Sequence, residues 1–588
     1  MRRAQRLGWS PSRLSRITLL LLLAGGCAAH TATVSKVAGP SAPGRQRPTT
    51  DERAIAHVLS RVTFGARPGD IQAVEATGVA AYLERQLHPD RIDDARLDAR
   101  LSNLTTLSLS ARTLADDYFK PAQMERRKRQ AEQAAATAGN TGAGGRPAQS
   151  GAAASPAAQG AARPATPAEN EALRRERQVM TELSAQKVLR AVGSERQLQE
   201  VLVDFWFNHF NVFAGKGADR LYLTEYERDV IRPHVFGRFR DLLGAVAHSP
   251  AMLFYLDNWL STDPNGPHPV GAAGIRRPMG AGIGRQGLVP RQPMTRPAAP
   301  RPAARAGLNE NYARELMELH TLGVDGGYTQ HDVTEVARAF TGWTITGPNN
   351  GGGFTFDPRR HDEGQKVVLG HVIKEGGGQG DGEKVLDILA SQPATARFIA
   401  TKLARRFVAD DPPTALVDRA AARFRETGGD LREVVRAILT SPEFYAPAAY
   451  GAKAKTPLEF VASALRAADA RVDDPAPVVN TLRVLGMPLY GCQPPTGYAD
   501  RADAWTNAGA LLGRLTFASA LASNRLRGVS VDLQALAATG NPSGQRGQLA
   551  QVLLGGRATP DTLSAVERQA SVADAAALAL GSPEFQKK

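Results

Sequence analysis

Apolar residues recur at helical spacing along almost the whole chain, and that pattern restricts it to an architecture of packed helices. In "DERAIAHVLSRV", Ile55, Val58, Leu59 and Val62 fall at i, i+3, i+4 and i+7. Only 6% of the residues are aromatic, and alanine supplies much of the apolar fraction of 42%. Alanine is the best helix former and is depleted in strands. Strand signals are confined to "GWTITG", "GFTFDP" and "KVVLGHV", short β-branched runs bounded by glycine or proline. They predict a small β-hairpin or three-stranded element over about 342–372. The expected fold class is therefore mainly α, a multi-helical globular body with one minor β element.

Helix starts are legible as capping chemistry. Thr456 with Glu459 forms a capping box, and Thr329 with Asp332 has the same spacing. Serine followed by proline closes one helix and opens the next in "HSPAML", "TSPEF" and "GSPEF".

Two segments break the helical pattern. Residues 126–168 and 262–305 consist largely of Ala, Gly, Pro and Arg, bury too little surface to offset ordering entropy, and read as disordered insertions. They also carry the charge. The formal net charge of +14 is made of +8 in residues 1–50, +5 in 126–168 and +6 in 262–305, which leaves −5 for everything else. No aromatic residues interleave with the arginines, so specific nucleic-acid binding is not indicated. The expected order is a leader (1–26), a tether (27–50), helices (51–125), the first insertion, helices (169–261), and the second insertion. A central and C-terminal helical part (306–530) and terminal helices (531–588) follow.

The leader has a basic start, an apolar run from Ile17 to Ala24 and small residues around Cys27. The run is too short to span a bilayer, which needs roughly 20 residues, and reads as an export signal. "LLAGGC" is similar to a lipobox, which makes Cys27 the expected lipidation site. The protein is then an exported lipoprotein in the outer membrane or facing the periplasm, the alternative being secretion after cleavage beyond "CAA". Cys492 is the only other cysteine, so no zinc–cysteine site can form.

The chemistry-bearing residues concentrate in two stretches, "NENYARELMELHTLGVDGGY" and "FDPRRHDEGQK". In the first, Leu308, Tyr312, Leu316 and Leu319 form an inner stripe. Glu310, Arg314 and Glu318 form an expected salt-bridge ladder, which leaves Asn311, Glu315 and His320 as functional candidates. The candidate catalytic residues are Glu315, His320, His361 and Asp362. The candidate ligands for a divalent metal are His209, His320, His331, His361 and Asp332, since imidazole and carboxylate suit zinc, iron or general acid–base work. No HExxH, GxSxG or P-loop pattern occurs, so any metal site has to be assembled from remote segments.

Taken in order, "HVLSRVTFGARPGDI", "DFWFNHFNVF", "NENYARELMELHTLGVDGGYTQHDVTEVARAFTGW", "HDEGQKVVLG", "PATARFIATKLARRFV" and "PPTGY" resemble the bacterial domain-of-unknown-function family 1800. The resemblance covers roughly residues 52–525, interrupted by both insertions. It implies export, and a partner that is an exported sulfatase- or phosphatase-like protein. It carries no reaction, so no catalytic residue is transferred. Two function classes follow: an extracytoplasmic, metal-assisted hydrolytic enzyme acting on envelope or extracellular polymer, and a non-catalytic helical scaffold.

Overall fold

The 27-residue helix Pro167–Gly193 is a spine on which helices Ala95–Leu101, Lys120–Asn140, Gln197–His209, Pro457–Ala467 and Ala476–Val484 pack. Its start is fixed by a capping box: the Thr166 hydroxyl accepts from the Glu169 N–H and the Glu169 carboxylate accepts from the Thr166 N–H. The computed structural model describes residues 50–140, 166–266, 307–538 and 544–588. The leader with Cys27, and most of both expected insertions, lie outside the described residues. Pro48–Lys588 forms one compact unit.

Residues 126–140 of the expected first insertion are helical. Helix Lys120–Asn140 runs on past residue 126, because Arg126 pairs with Glu176 and Arg129 with Glu169 of the spine helix. These partners lie forty to fifty residues away in sequence, so local composition does not report them.

Helix Gln197–His209 also packs on the spine, and its buried residues include Leu198, Val201, Leu202, Phe205 and Trp206. Its buried side chains are mostly apolar, while Glu200, Asp204 and Asn208 form a polar stripe at i, i+4 and i+8, and its last turn carries Asn208 and His209. Helices Pro393–Phe407, Thr414–Glu426 and Leu431–Leu439 form a second group, and Ala508–Ala522, Gln545–Leu554 and Val572–Gly581 a third.

Strands among the described residues occur as separate antiparallel pairs. Trp343–Ile345 pairs with Phe354–Phe356, and Lys366–Val368 with His371–Ile373. The β element is thus two hairpins and not one three-stranded sheet. A third pair, Arg471–Val472 with Val529–Ser530, joins segments too short and too distant to read as strands.

Of the serine–proline caps, Ser582 accepts from the Phe585 N–H at the start of Pro583–Gln586, and Ser249 precedes Pro250–Tyr255. Ser441 makes the same bond to the Phe444 N–H within a turn. Both capping boxes read from the sequence form.

Candidate functional site

The stretch from Glu310 is helical only to Glu315; Leu316–Thr321 continues as a π-helical turn. Such turns insert one extra residue and recur at functional sites. Here the insertion rotates His320 inward, where it is 2% exposed, 6.2 Å ring to ring from His209 and 5.0 Å from Phe210. It also dissolves the expected Glu310–Arg314–Glu318 ladder. Glu310 accepts from Gln330 at 2.8 Å, Arg314 donates to Gln330 at 2.6 Å, and Glu318 accepts from the Tyr328 hydroxyl at 2.8 Å.

The last turn of Gln197–His209 holds the centre of the site. His209 Nδ1 lies 2.8 Å from Lys402 Nζ, and His209 Nε2 lies 3.1 Å from the His320 carbonyl oxygen. The ammonium of Lys402 donates to Nδ1, so the ring carries its proton on Nε2 and donates it to that carbonyl. Burial, then Lys402, then His320 push the His209 imidazolium well below its ordinary range. Burial and Lys402 bring His320 down to about 3. Both rings are neutral at physiological pH.

Lys402 belongs to helix Pro393–Phe407, where Thr395, Ile399, Lys402 and Arg406 fall on one stripe at i, i+4, i+7 and i+11. Thr395, Ile399 and Arg406 on that stripe are buried, while Lys402 keeps part of its surface in solvent. Among the described residues no carboxylate forms an ion pair with it. Burial and the Arg405 charge lower its ammonium to about 8, against a weak opposing pull from Asp500. Sequence reasoning missed Lys402; its signal was a lysine on an otherwise buried stripe.

The segment "YGCQPPTGY" is fastened over the same helix end. Asn208 accepts from the Tyr498 N–H at 2.7 Å and donates to the Tyr498 carbonyl at 2.8 Å. Asn211 donates to the carbonyls of Cys492 and Pro494 at 2.9 Å each, and the Tyr255 hydroxyl donates to Gln493 at 2.6 Å. Cys492 is buried, and desolvation pushes its thiol up to about 11, which makes it inert. Glu315 is half-buried, and desolvation and the nearby Glu318 raise its carboxyl above the ordinary range.

The second stretch builds a separate network. His361 lies with Nδ1 2.8 Å from the Thr341 carbonyl and Nε2 3.3 Å from Asp381. Lys366 Nζ is 2.8 Å from the same Asp381 oxygen, and all three side chains are fully buried. Asp381 was not singled out from the sequence; it sits in the glycine-rich "GGGQGDGEK" at the start of Gly380–Ser391. Asp362 takes two bonds from Arg338, at 2.7 and 2.9 Å, which hold its carboxyl below the usual range although burial opposes them. Asp332 caps its own helix and accepts from the Leu369 N–H at 2.7 Å, while His331 and His371 are exposed.

The sequence candidates therefore divide. His209 and His320 meet at Lys402, whereas His361 and Asp362 belong to the Asp381 and Arg338 network. The donor set does not fit a metal: among the described residues no three His, Cys, Asp or Glu side chains are grouped so as to hold one. The ring nitrogens of His209 and His361 already have protein partners.

Among the described residues no helix is long and apolar enough to cross a membrane. Comparison with curated proteins and with solved structures returns no match. Residues 57–587, nearly the whole described chain, match the family described as "Protein of unknown function (DUF1800)", and the chain belongs to that family.

Proposed function

We propose that the chain is an exported, lipid-anchored hydrolase of envelope or extracellular polymer, with Lys402 as general base and His209 as the group that positions it. The observation that carries this reading is the 2.8 Å contact between Lys402 Nζ and His209 Nδ1, formed by a partly exposed lysine with no ion-pair partner among the described residues. An amine lowered to about 8 is unprotonated in roughly one molecule in ten at pH 7, against fewer than one in a thousand for a free lysine. One N–H of the neutral amine donates to His209, and its lone pair takes the proton from an attacking water. Glu315, with its raised carboxyl, is the candidate acid for the leaving group. His320 keeps its neighbourhood uncharged, and His361 and Asp362 support the adjoining hairpin. Since the donors do not gather, the reading is hydrolytic without a metal step.

The test is turnover by the purified mature protein on peptidoglycan sacculi and on acetylated and sulfated polysaccharides. Lys402→Met is expected to abolish it while leaving the melting temperature within a few degrees. The wild-type rate is expected to rise with pH through about 8. Turnover that survives Lys402→Met would rule the assignment out.

One observation favours a second reading, the scaffold. Helix Ala508–Ala522 exposes Leu511 (41%), Leu512 (67%) and Leu515 (46%), an apolar strip along the edge of its buried face. Such a strip suits a protein partner, the candidate being the exported sulfatase- or phosphatase-like protein. Co-purification lost in Leu512→Glu, with polymer turnover absent throughout, would support that reading over the first.

A further inference from the structure

A pocket of about 40 Å³ lies between helix Thr50–Val62 with its following loop, helix Pro457–Ala467 and helix Gln545–Leu554. A water needs about 10–15 Å³ on this measure, so the space holds a group of several heavy atoms. Its polar lining is Lys455, Lys588, Arg557, Ser60, Ser463 and Glu459, with the Thr63 hydroxyl beside them. Three cations thus face one carboxylate.

That carboxylate is already engaged. Glu459 pairs with Arg406 and Lys588, and its second oxygen accepts from the Thr456 N–H at 2.9 Å. Lys455 is left without an anion. It is 4% exposed, donates to the Ser463 hydroxyl at 2.9 Å and lies 3.7 Å above the Phe585 ring. Among the described residues no carboxylate is within ion-pair distance of it.

The surroundings are short of acceptors too. Arg61 Nε and Nη1, Arg406 Nε and Arg514 Nε are buried with no hydrogen-bond partner. Unpaired buried cations cost several kcal/mol each, and proteins otherwise neutralise or pair them. The packing holds the arrangement closed: a Cβ at Gly65, where φ is +120°, would lie 2.6 Å from Ser463 Cβ.

We propose that this pocket binds a small tetrahedral oxyanion, of phosphate or sulfate size, between Lys455 and Arg557. The anion supplies the charge that Lys455 lacks and accepts from the Lys455 ammonium and the Arg557 guanidinium, while Ser60 and Ser463, whose protons go to the His57 and Phe460 carbonyls, complete the polar lining. Consistent with that deficit, burial and the charges of Arg557, Lys588 and Arg514, only partly offset by Glu459, drive the Lys455 ammonium well below its ordinary range. The site stands apart from the Lys402 reading and does not depend on it.

The test is calorimetric titration of the full mature protein with inorganic phosphate and, separately, sodium sulfate, against chloride at matched ionic strength. Saturable binding is expected for at least one, and the tighter of the two tells whether a phosphoryl or a sulfuryl group is the ligand. Lys455→Met and Arg557→Met are each expected to weaken binding at least tenfold. Lys455→Met is further expected to raise the melting temperature of the anion-free protein, because it removes an uncompensated buried charge; a purely structural lysine would give a fall. If Lys455→Met does not fold, Arg557→Met, at a half-buried position, decides. No saturable heat with either anion, or affinity unchanged in Arg557→Met, would overturn the proposal.

Discussion

Lys402 Nζ sits 2.8 Å from Nδ1 of His209, a lysine bound to a neutral imidazole where a carboxylate is the usual partner. The pair couples two helices nearly two hundred residues apart in sequence, and the Lys402 charge helps keep His209 neutral. Removing the cation tests that coupling directly. In Lys402→Met, the imidazoles of His209 and His320 are expected to titrate higher than in the wild type, because a nearby like charge has gone. Imidazole resonances followed by NMR across pH 3–7 report this, and unmoved midpoints would contradict the coupling.

Stability should fall on acidification before the carboxylates titrate. His57, whose Nε2 lies 2.8 Å from the Phe444 carbonyl, is lowered to about 3 by burial and by Arg61, and His320 is lowered to about 3 as well. In the unfolded chain both protonate near 6.5. Between those values the unfolded state binds more protons, so stability rises with pH across about 3–6.5 and is lost as pH falls through that window. Each ring contributes on the order of a few kcal/mol. The carboxyl of Glu459 is depressed by Arg406 and Lys588 against the cost of its burial, so its stabilisation is lost only below its unfolded value of 4.5. Urea midpoints at pH 7, 5.5 and 4.8 therefore isolate the histidines, and a flat profile would refute the assignment.

The buried pair of Lys366 and Asp381 is expected to act as a unit. Asp381→Asn removes the nearer of the two carboxylates that pair with the fully buried ammonium, leaving Asp362 at 3.8 Å, and should cost about 3 kcal/mol. The double change Lys366→Met with Asp381→Leu removes both charges and should cost less than the sum of the single changes. A double-mutant cycle by urea denaturation measures the difference.

The loop over the site is held by a close approach at Gly497. Its φ is +71°, and a Cβ there would meet the Asn208 carbonyl oxygen at 2.2 Å. Gly497→Ala is expected to cost about 1–3 kcal/mol and to raise hydrogen exchange at the Tyr498 N–H, which Asn208 holds. Protection unchanged at that amide would mean that the loop is secured elsewhere.

How far the site was readable depends on the separation of its parts. Thr329 with Asp332 and Thr456 with Glu459 are three residues apart, and both boxes form as spaced. His209 and His320 were picked out as single residues, but nothing local shows that a π turn swings one toward the other. Lys402 was invisible as a partner, since its identity as a site residue comes only from standing 193 positions away from His209. Likewise His361 and Lys366 looked like loop chemistry until Asp381 closed on both.

By itself the sequence determined the helical class, the capped helix starts, the position of the hairpins near 342–372 and the family, because each rests on short-range periodicity, spacing or pattern. Tertiary structure alone decided which polar groups meet. It set Lys402 on His209, placed His361 and Lys366 on Asp381, and left Lys455 without a counter-ion, because ion pairing and desolvation depend on distances that packing creates between remote segments.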